Sequence, residues 1–126
     1  MEEKKWKNKN FISALKNALN GIIYIIKNEM NIKIELLITV IVIIAGFVFK
    51  ISILEWEILI LTIGFVIFAE ILNSVIEKIV DFITEDYNEK AKIIKDMSAG
   101  FVTVNSLVSV IIGILMFLPK ILQLYG

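Results

Sequence analysis

Polar and apolar residues are distributed along this chain in two distinct ways. In "FISALKNALNGIIYIIKNE", residues 11–29, apolar side chains recur at Phe11, Leu15, Ala18, Ile22 and Ile25, with Ser13, Lys16, Asn17, Asn20 and Lys27 between them. That spacing predicts a helix with one greasy face over roughly residues 9–29. The stripe is too interrupted to cross a bilayer, so an amphipathic helix lying along a membrane surface fits it. A packing helix of a soluble bundle is the alternative.

The rest of the chain is dominated by long apolar runs. One covers about residues 31–49, with Lys33 and Glu35 near its start. A second covers about residues 51–69, and its helical pattern continues to about residue 83. A third covers about residues 97–118 and stops at Pro119. Each approaches the ~20 residues a helix needs to span the hydrocarbon layer. The expectation is an all-α membrane protein with a surface helix and three transmembrane helices, forming a single domain over residues 1–126. Composition agrees: 58% of residues are hydrophobic, against about 45–50% in soluble domains. The opening "MEEKKWKNKN" is too polar to begin a cleavable signal peptide.

Lysines orient the spans. Lys4, Lys5, Lys7, Lys9, Lys16 and Lys27 precede the first run, and Lys78, Lys90, Lys92 and Lys95 surround the connection between the second and third. The other connection, "KISILEWE", has Lys50 beside two glutamates, and the tail has Lys120. Positive residues stay inside, which places the N-terminus in the cytoplasm and the C-terminus outside. Trp56 and Tyr125 suit the outer interface.

Charge and residue types narrow the chemistry. Thirteen basic residues balance thirteen acidic ones, so no nucleic-acid partner is indicated. The chain has no Cys and no His, which excludes thiolate chemistry, His-based zinc sites and a His general base. Every cation is a lysine, so no guanidinium fork is available for phosphate. The glycines are scattered and form no phosphate-binding loop.

What remains is carboxylates, lysines, amides and hydroxyls, and "EILNSVIEKIVD" concentrates them. On a helix Glu70, Glu77 and Asp81 fall within about 40° of one another, with Asn73 about 60° to one side. The intervening residues are almost all apolar, so one face is reserved for polarity. A carboxylate in the membrane costs ~2.5–3.5 kcal/mol even on lenient scales and needs a partner or a task. Several like charges also repel one another. A divalent cation resolves both problems, and hard oxygen ligands favour Mg²⁺, which takes one or two carboxylates plus phosphate oxygens. Glu29 in "KNEMN", and Lys95 and Asp96 in "IIKDMSAG", belong on the same cytoplasmic side. Together these are sufficient parts for phosphoryl transfer at the membrane surface. Polar glue between helices, charges paired with Lys78 or Lys95, and a proton or ion pathway are the competing readings. Three thin helices should not wall off such a stripe from lipid, which argues for neighbouring copies.

"EILNSVIEKIVD", followed after a connection by "KDMSAG", closely resembles the prokaryotic diacylglycerol kinase family of small membrane lipid kinases, which includes undecaprenol kinases. "ALKNALNG" and "NEMN" match more loosely. The resemblance implies an ATP- and Mg²⁺-dependent kinase acting on a lipid alcohol at the bacterial cytoplasmic membrane, working as a homotrimer with shared active sites. It implies Glu70 as general base and Glu29 and Glu77 as metal-binding carboxylates. Asn73 would place the reacting groups, Lys95 and Asp96 would contact the nucleotide, and Asp86, Tyr87 and Asn88 would lie near adenosine. Asn10 and Asn17 fall at ATP-contacting positions. The lysine-rich start favours undecaprenol as acceptor, with diacylglycerol the rival. Phe101 stands where a small residue is common, and the absence of arginine removes basic contacts found near the N-terminus of relatives.

Overall fold

A computed structural model of the chain describes residues 6–126. Lys4 and Lys5, counted above among the cytoplasmic lysines, lie outside that range. The described residues form four helices: α1 (Phe11–Asn28), α2 (Met30–Val48), α3 (Ile53–Ile83) and α4 (Glu89–Tyr125). The last three are long and apolar enough to cross a membrane.

Side chains set the helix starts. Asn10 caps α1 by accepting from the Ser13 amide at 2.8 Å. Ser52 and Glu55 form a capping box at the start of α3, satisfying amides that the helix itself leaves unpaired. Asn88 caps α4 by accepting from the Ala91 amide at 3.1 Å. Because of that cap, α4 begins eight residues before Met97, where the apolar run starts. At the other end α4 does not stop at Pro119 but continues through it to Tyr125. Proline removes one ladder donor, yet helices in a membrane tolerate it where neighbours hold the freed backbone. Here Lys120 donates to Glu55 Oε1 at 3.0 Å and ties this last stretch to the start of α3.

α3 and α4 run antiparallel in the most extensive helix–helix contact of the chain. It is fastened at Glu55–Lys120, at Phe65–Asn105 and at Asp81–Lys95. α2 packs on α3, and α1 on α2. The turn from α2 to α3 is tight. Lys50 adopts a φ of 50°, and the Ile51 amide reaches back to the Gly46 carbonyl at 3.1 Å while the Lys50 amide bonds Phe47 at 3.2 Å. This is the Schellman arrangement, normally built with glycine at the left-handed position. It brings Ile51 into a small apolar core with Leu59 and Met116, flanked by Trp56, Phe49 and Phe117. Trp56, expected at the outer interface as a belt residue, is packed over Gly46 and against the Phe47 ring at 4.9 Å. The bulky Phe101 is exposed and borders, with Leu72, Ile76 and Met97, an open apolar groove between α3 and α4.

Candidate active site

α3 carries the polar face that positions the site. Glu70, Asn73 and Ser74 are buried, and Glu70 is only 6% exposed. Within the single chain Glu70 is enclosed, whereas Asp81, further along the same stripe, is exposed. α2 supplies the cover. Ile32 is 2% exposed beneath it, and Asn31 and Glu35 flank the Glu70 carboxyl, Asn31 as a hydrogen-bonding neighbour. Glu29 and Glu77 complete the acidic surroundings of Glu70.

Helical spacing fixes the rest of the array. Asn73 Nδ2 donates to Glu77 Oε1 at 3.2 Å, one turn along α3. Its Oδ1 is buried with no hydrogen-bond partner among the described residues. A buried carbonyl oxygen without a donor is costly, and it is a place where an incoming hydroxyl or water gains a hydrogen bond. Glu29 interrupts the helices, being extended at φ −107° and ψ 111°, and so joins α1 to α2. Its carboxylate meets Lys78 Nζ at 3.5 Å, and the same ammonium lies over the Tyr24 ring, 5.2 Å from its centroid. The α1–α2 junction is thereby held against the residue next to Glu77.

Asp81 behaves differently from its stripe-mates. It is paired with Lys95 at 2.5 Å and is largely exposed, which realises the ion-pair reading for this one residue. Asp96 is likewise paired, with Lys92 at 2.6 Å. Lys95 and Asp96 nevertheless line, together with Asp86, Tyr87 and Asn88, a cleft of about 280 Å³ at the α3–α4 connection. The site residues therefore fall into two groups: Glu70, Asn73 and Glu77 on α3 with Glu29 of the α1–α2 junction, and the cleft at the α3–α4 connection. Asn10 and Asn17 join neither. Asn10 caps its helix, and Asn17 donates to Asn8. Along α1 they lie roughly 28 Å and 18 Å from Glu29, at 1.5 Å per residue.

Among the described residues no three carboxylates converge closely enough to hold a metal ion by themselves. The donor set still fits magnesium, which keeps several waters and is held by one or two carboxylates with substrate phosphates supplying the rest. Glu29 and Glu77 offer two such carboxylates from separate segments, the first beside Lys78 and the second accepting from Asn73.

Sequence reasoning missed Asn31 and Glu35 as members of the site. Both stand at the polar start of α2, one helical turn apart, where they read as ordinary interfacial residues. The signal available was that i, i+4 spacing. Glu35 also opens an apolar cavity of about 460 Å³ that extends past Thr39, Leu59 and Val110 toward Phe117, between α2, α3 and α4.

The family model for prokaryotic diacylglycerol kinase matches residues 16–117, spanning all four helices. The chain belongs to this family. It is similar to the undecaprenol kinase of Bacillus subtilis (strain 168), with 40% identity over 111 residues covering 88% of this chain and 90% of the relative. It is also similar to the diacylglycerol kinase of a Synechocystis species, with 32% identity over 116 residues covering 91% of this chain and 66% of that relative. As a family member the chain is a membrane-embedded lipid kinase with ATP as co-substrate.

Proposed function

We propose that the chain transfers the terminal phosphoryl group of ATP to the hydroxyl of undecaprenol. The observation that carries this reading is the Glu70 carboxylate: buried on α3 and one turn from an Asn73 oxygen that lacks a donor. The acceptor follows from similarity to the Bacillus undecaprenol kinase over 90% of that protein. Diacylglycerol is the second reading, favoured by the Synechocystis relative.

Each residue has a stated task. Glu70 accepts the proton of the lipid hydroxyl as its oxygen bonds to the γ-phosphorus; the bond to the bridging oxygen breaks and ADP leaves. Asn73 holds Glu77 through its amide and offers Oδ1 to the acceptor hydroxyl. Adenosine occupies the cleft of Asp86, Tyr87 and Asn88, with Lys95 and Asp96 at its edge, so that the phosphates run along α3 toward Glu70. The eleven helical steps from Asp81 back to Glu70 span about 16 Å. Glu29 and Glu77 would hold Mg²⁺, which when bound neutralises phosphate charge. The apolar cavity beginning at Glu35 offers a path for the lipid chain. α1 lies along the cytoplasmic surface of the inner membrane, and the C-terminus is outside, as the lysine distribution requires. Asn10 and Asn17, far from Glu29 along α1, act in a neighbouring copy of a trimer, whose formation also covers the many exposed apolar residues of α2 and α4.

The test is phosphorylation by the purified protein in lipid, with γ-labelled ATP and each lipid alcohol in turn. Label should appear in undecaprenol, and Glu70→Gln should abolish it while nucleotide binding persists. Label in diacylglycerol alone would transfer the reading to the second acceptor. Label in neither, or an active Glu70→Gln protein, would remove it.

A further inference from the structure

Asn105 lies in the middle of α4, inside the apolar layer that this helix crosses. Its side-chain Nδ2 donates to the backbone oxygen of Phe65 on α3 at 3.0 Å. An amide group in hydrocarbon has no water to bond, so helices place such residues where a partner exists. The partner here is informative. Phe65 and Ala69 both belong to α3, so the same carbonyl accepts the Ala69 amide in the helical ladder. Ala69 is 1% exposed and immediately precedes Glu70. The Asn105 bond thus fastens α4 to the turn of α3 that ends at the candidate base.

The next fastening between these helices lies on the other side of Glu70, at Asp81–Lys95. The polar neighbours of Glu70 come from α2, from its own helix and from Glu29, as Asn31, Glu35, Glu77 and Glu29. Among the described hydrogen bonds between α4 and α3, those of Lys95 and Lys120 go to side chains, and that of Asn105 goes to the α3 backbone.

We propose that Asn105 is a positioning residue for the phosphoryl transfer. Holding the Phe65 carbonyl sets the height and rotation of the turn that aims Glu70 at the lipid hydroxyl. The proposal rests on the reading of Glu70 as the proton acceptor. Asn105 lies in the membrane, away from the α3–α4 connection and the cleft there, so it leaves nucleotide binding untouched.

The experiment compares the full-length wild type with Asn105→Leu, which keeps the branching at Cγ and removes the amide, and with Asn105→Gln, which retains the amide. kcat and the KM for ATP are measured per folded protein, and amide hydrogen exchange is followed along α3. In Asn105→Leu, kcat should fall by about tenfold or more, since a small misplacement of a catalytic group has effects of that size. The KM for ATP should stay within about twofold of wild type, as expected when an interaction specific to the transition state is lost. Exchange should rise in the 65–70 turn, and Asn105→Gln should recover most of the activity. Unchanged kcat in Asn105→Leu, or a loss that Asn105→Gln does not recover, would overturn the proposal. If the leucine protein does not assemble, Asn105→Ala is judged by the same criteria, with unchanged exchange at residues 65–70 again overturning it. A wild-type chain that labels no lipid would instead sink the reading of Glu70, while the exchange measurement would still decide whether Asn105 holds this turn.

Discussion

Lys78 Nζ lies 3.5 Å from Glu29 Oε1 while sitting over the Tyr24 ring. One ammonium group thus links α1, the α1–α2 junction and α3. Its side chain is half exposed, so solvent screens the ion pair and it contributes little to stability. Its larger effect is electrostatic. In the proposed site, a cation beside the Glu29 carboxylate opposes the metal. Lys78→Met should therefore lower the Mg²⁺ concentration for half-maximal activity by about two- to fivefold, the modest effect of removing a solvent-screened charge. Titration of activity with Mg²⁺ at saturating ATP reads this directly. A higher Mg²⁺ requirement would show that Lys78 organises Glu29 more than it competes for it.

Asp81 and Lys95 make the corresponding contact at the nucleotide cleft, at 2.5 Å. In the proposed site the lysine serves phosphate, so Asp81 competes with ATP for it. Asp81→Asn should lower the KM for ATP by about two- to fivefold, the modest effect of an exposed pair. Lys95→Met should raise the same KM and reduce kcat. Steady-state kinetics with ATP varied distinguishes the two, and an increase in KM from Asp81→Asn would mean that the pair acts as a unit.

The turn between α2 and α3 gives two stability predictions of opposite sign. A Cβ on Gly46 would stand 2.6 Å from Trp56 Cη2 and 3.2 Å from Ile51 Cδ1. Gly46→Ala should destabilise by about 1–3 kcal/mol, as overpacking does. Lys50 is held at φ 50°, a conformation glycine adopts without steric cost. Lys50→Gly should stabilise by about 0.5–1 kcal/mol, after allowing for the greater freedom of glycine in the unfolded chain. Unfolding in a fixed detergent, followed by Trp56 fluorescence, measures both. Turnover per folded protein should stay near wild type, because the turn lies at the end of α3 opposite the site.

These contrasts show which features a sequence makes visible. The spans were readable because an apolar run long enough for the bilayer has few alternative structures, and the Glu70–Asn73–Glu77 array because helical spacing alone puts it on one side. Asn88 as the start of α4 was not readable from the apolar run, since the helix extends into polar sequence where hydrophobic periodicity carries no signal. Pro119 misled for a related reason: its local preference to end a helix is outweighed by the Lys120–Glu55 tether beyond it. Asp81 shares the angular position of Glu70, but its environment depends on Lys95, a residue of another helix. Glu35 and Asn31 were missed because only the packing of α2 on α3 turns an interfacial carboxylate and amide into neighbours of Glu70.

The Asn73–Glu77 contact allows the metal and the amide to be tested separately. Asn73 donates to Glu77 at 3.2 Å, so removing the amide frees the carboxylate without removing its charge. Glu77→Gln eliminates an anionic ligand and should raise the Mg²⁺ requirement by about tenfold or more while lowering kcat, because loss of a carboxylate weakens both metal capture and charge neutralisation. Asn73→Ala should leave the Mg²⁺ requirement within about threefold of wild type and lower kcat by roughly 10–100-fold, the effect of losing a group that orients a metal-binding carboxylate and the acceptor hydroxyl. Parallel Mg²⁺ titrations of the two variants provide the comparison. Identical metal dependence in Glu77→Gln and wild type would exclude Glu77 as a ligand, and a large metal shift in Asn73→Ala would mean that the amide, rather than the carboxylate alone, defines the cation site.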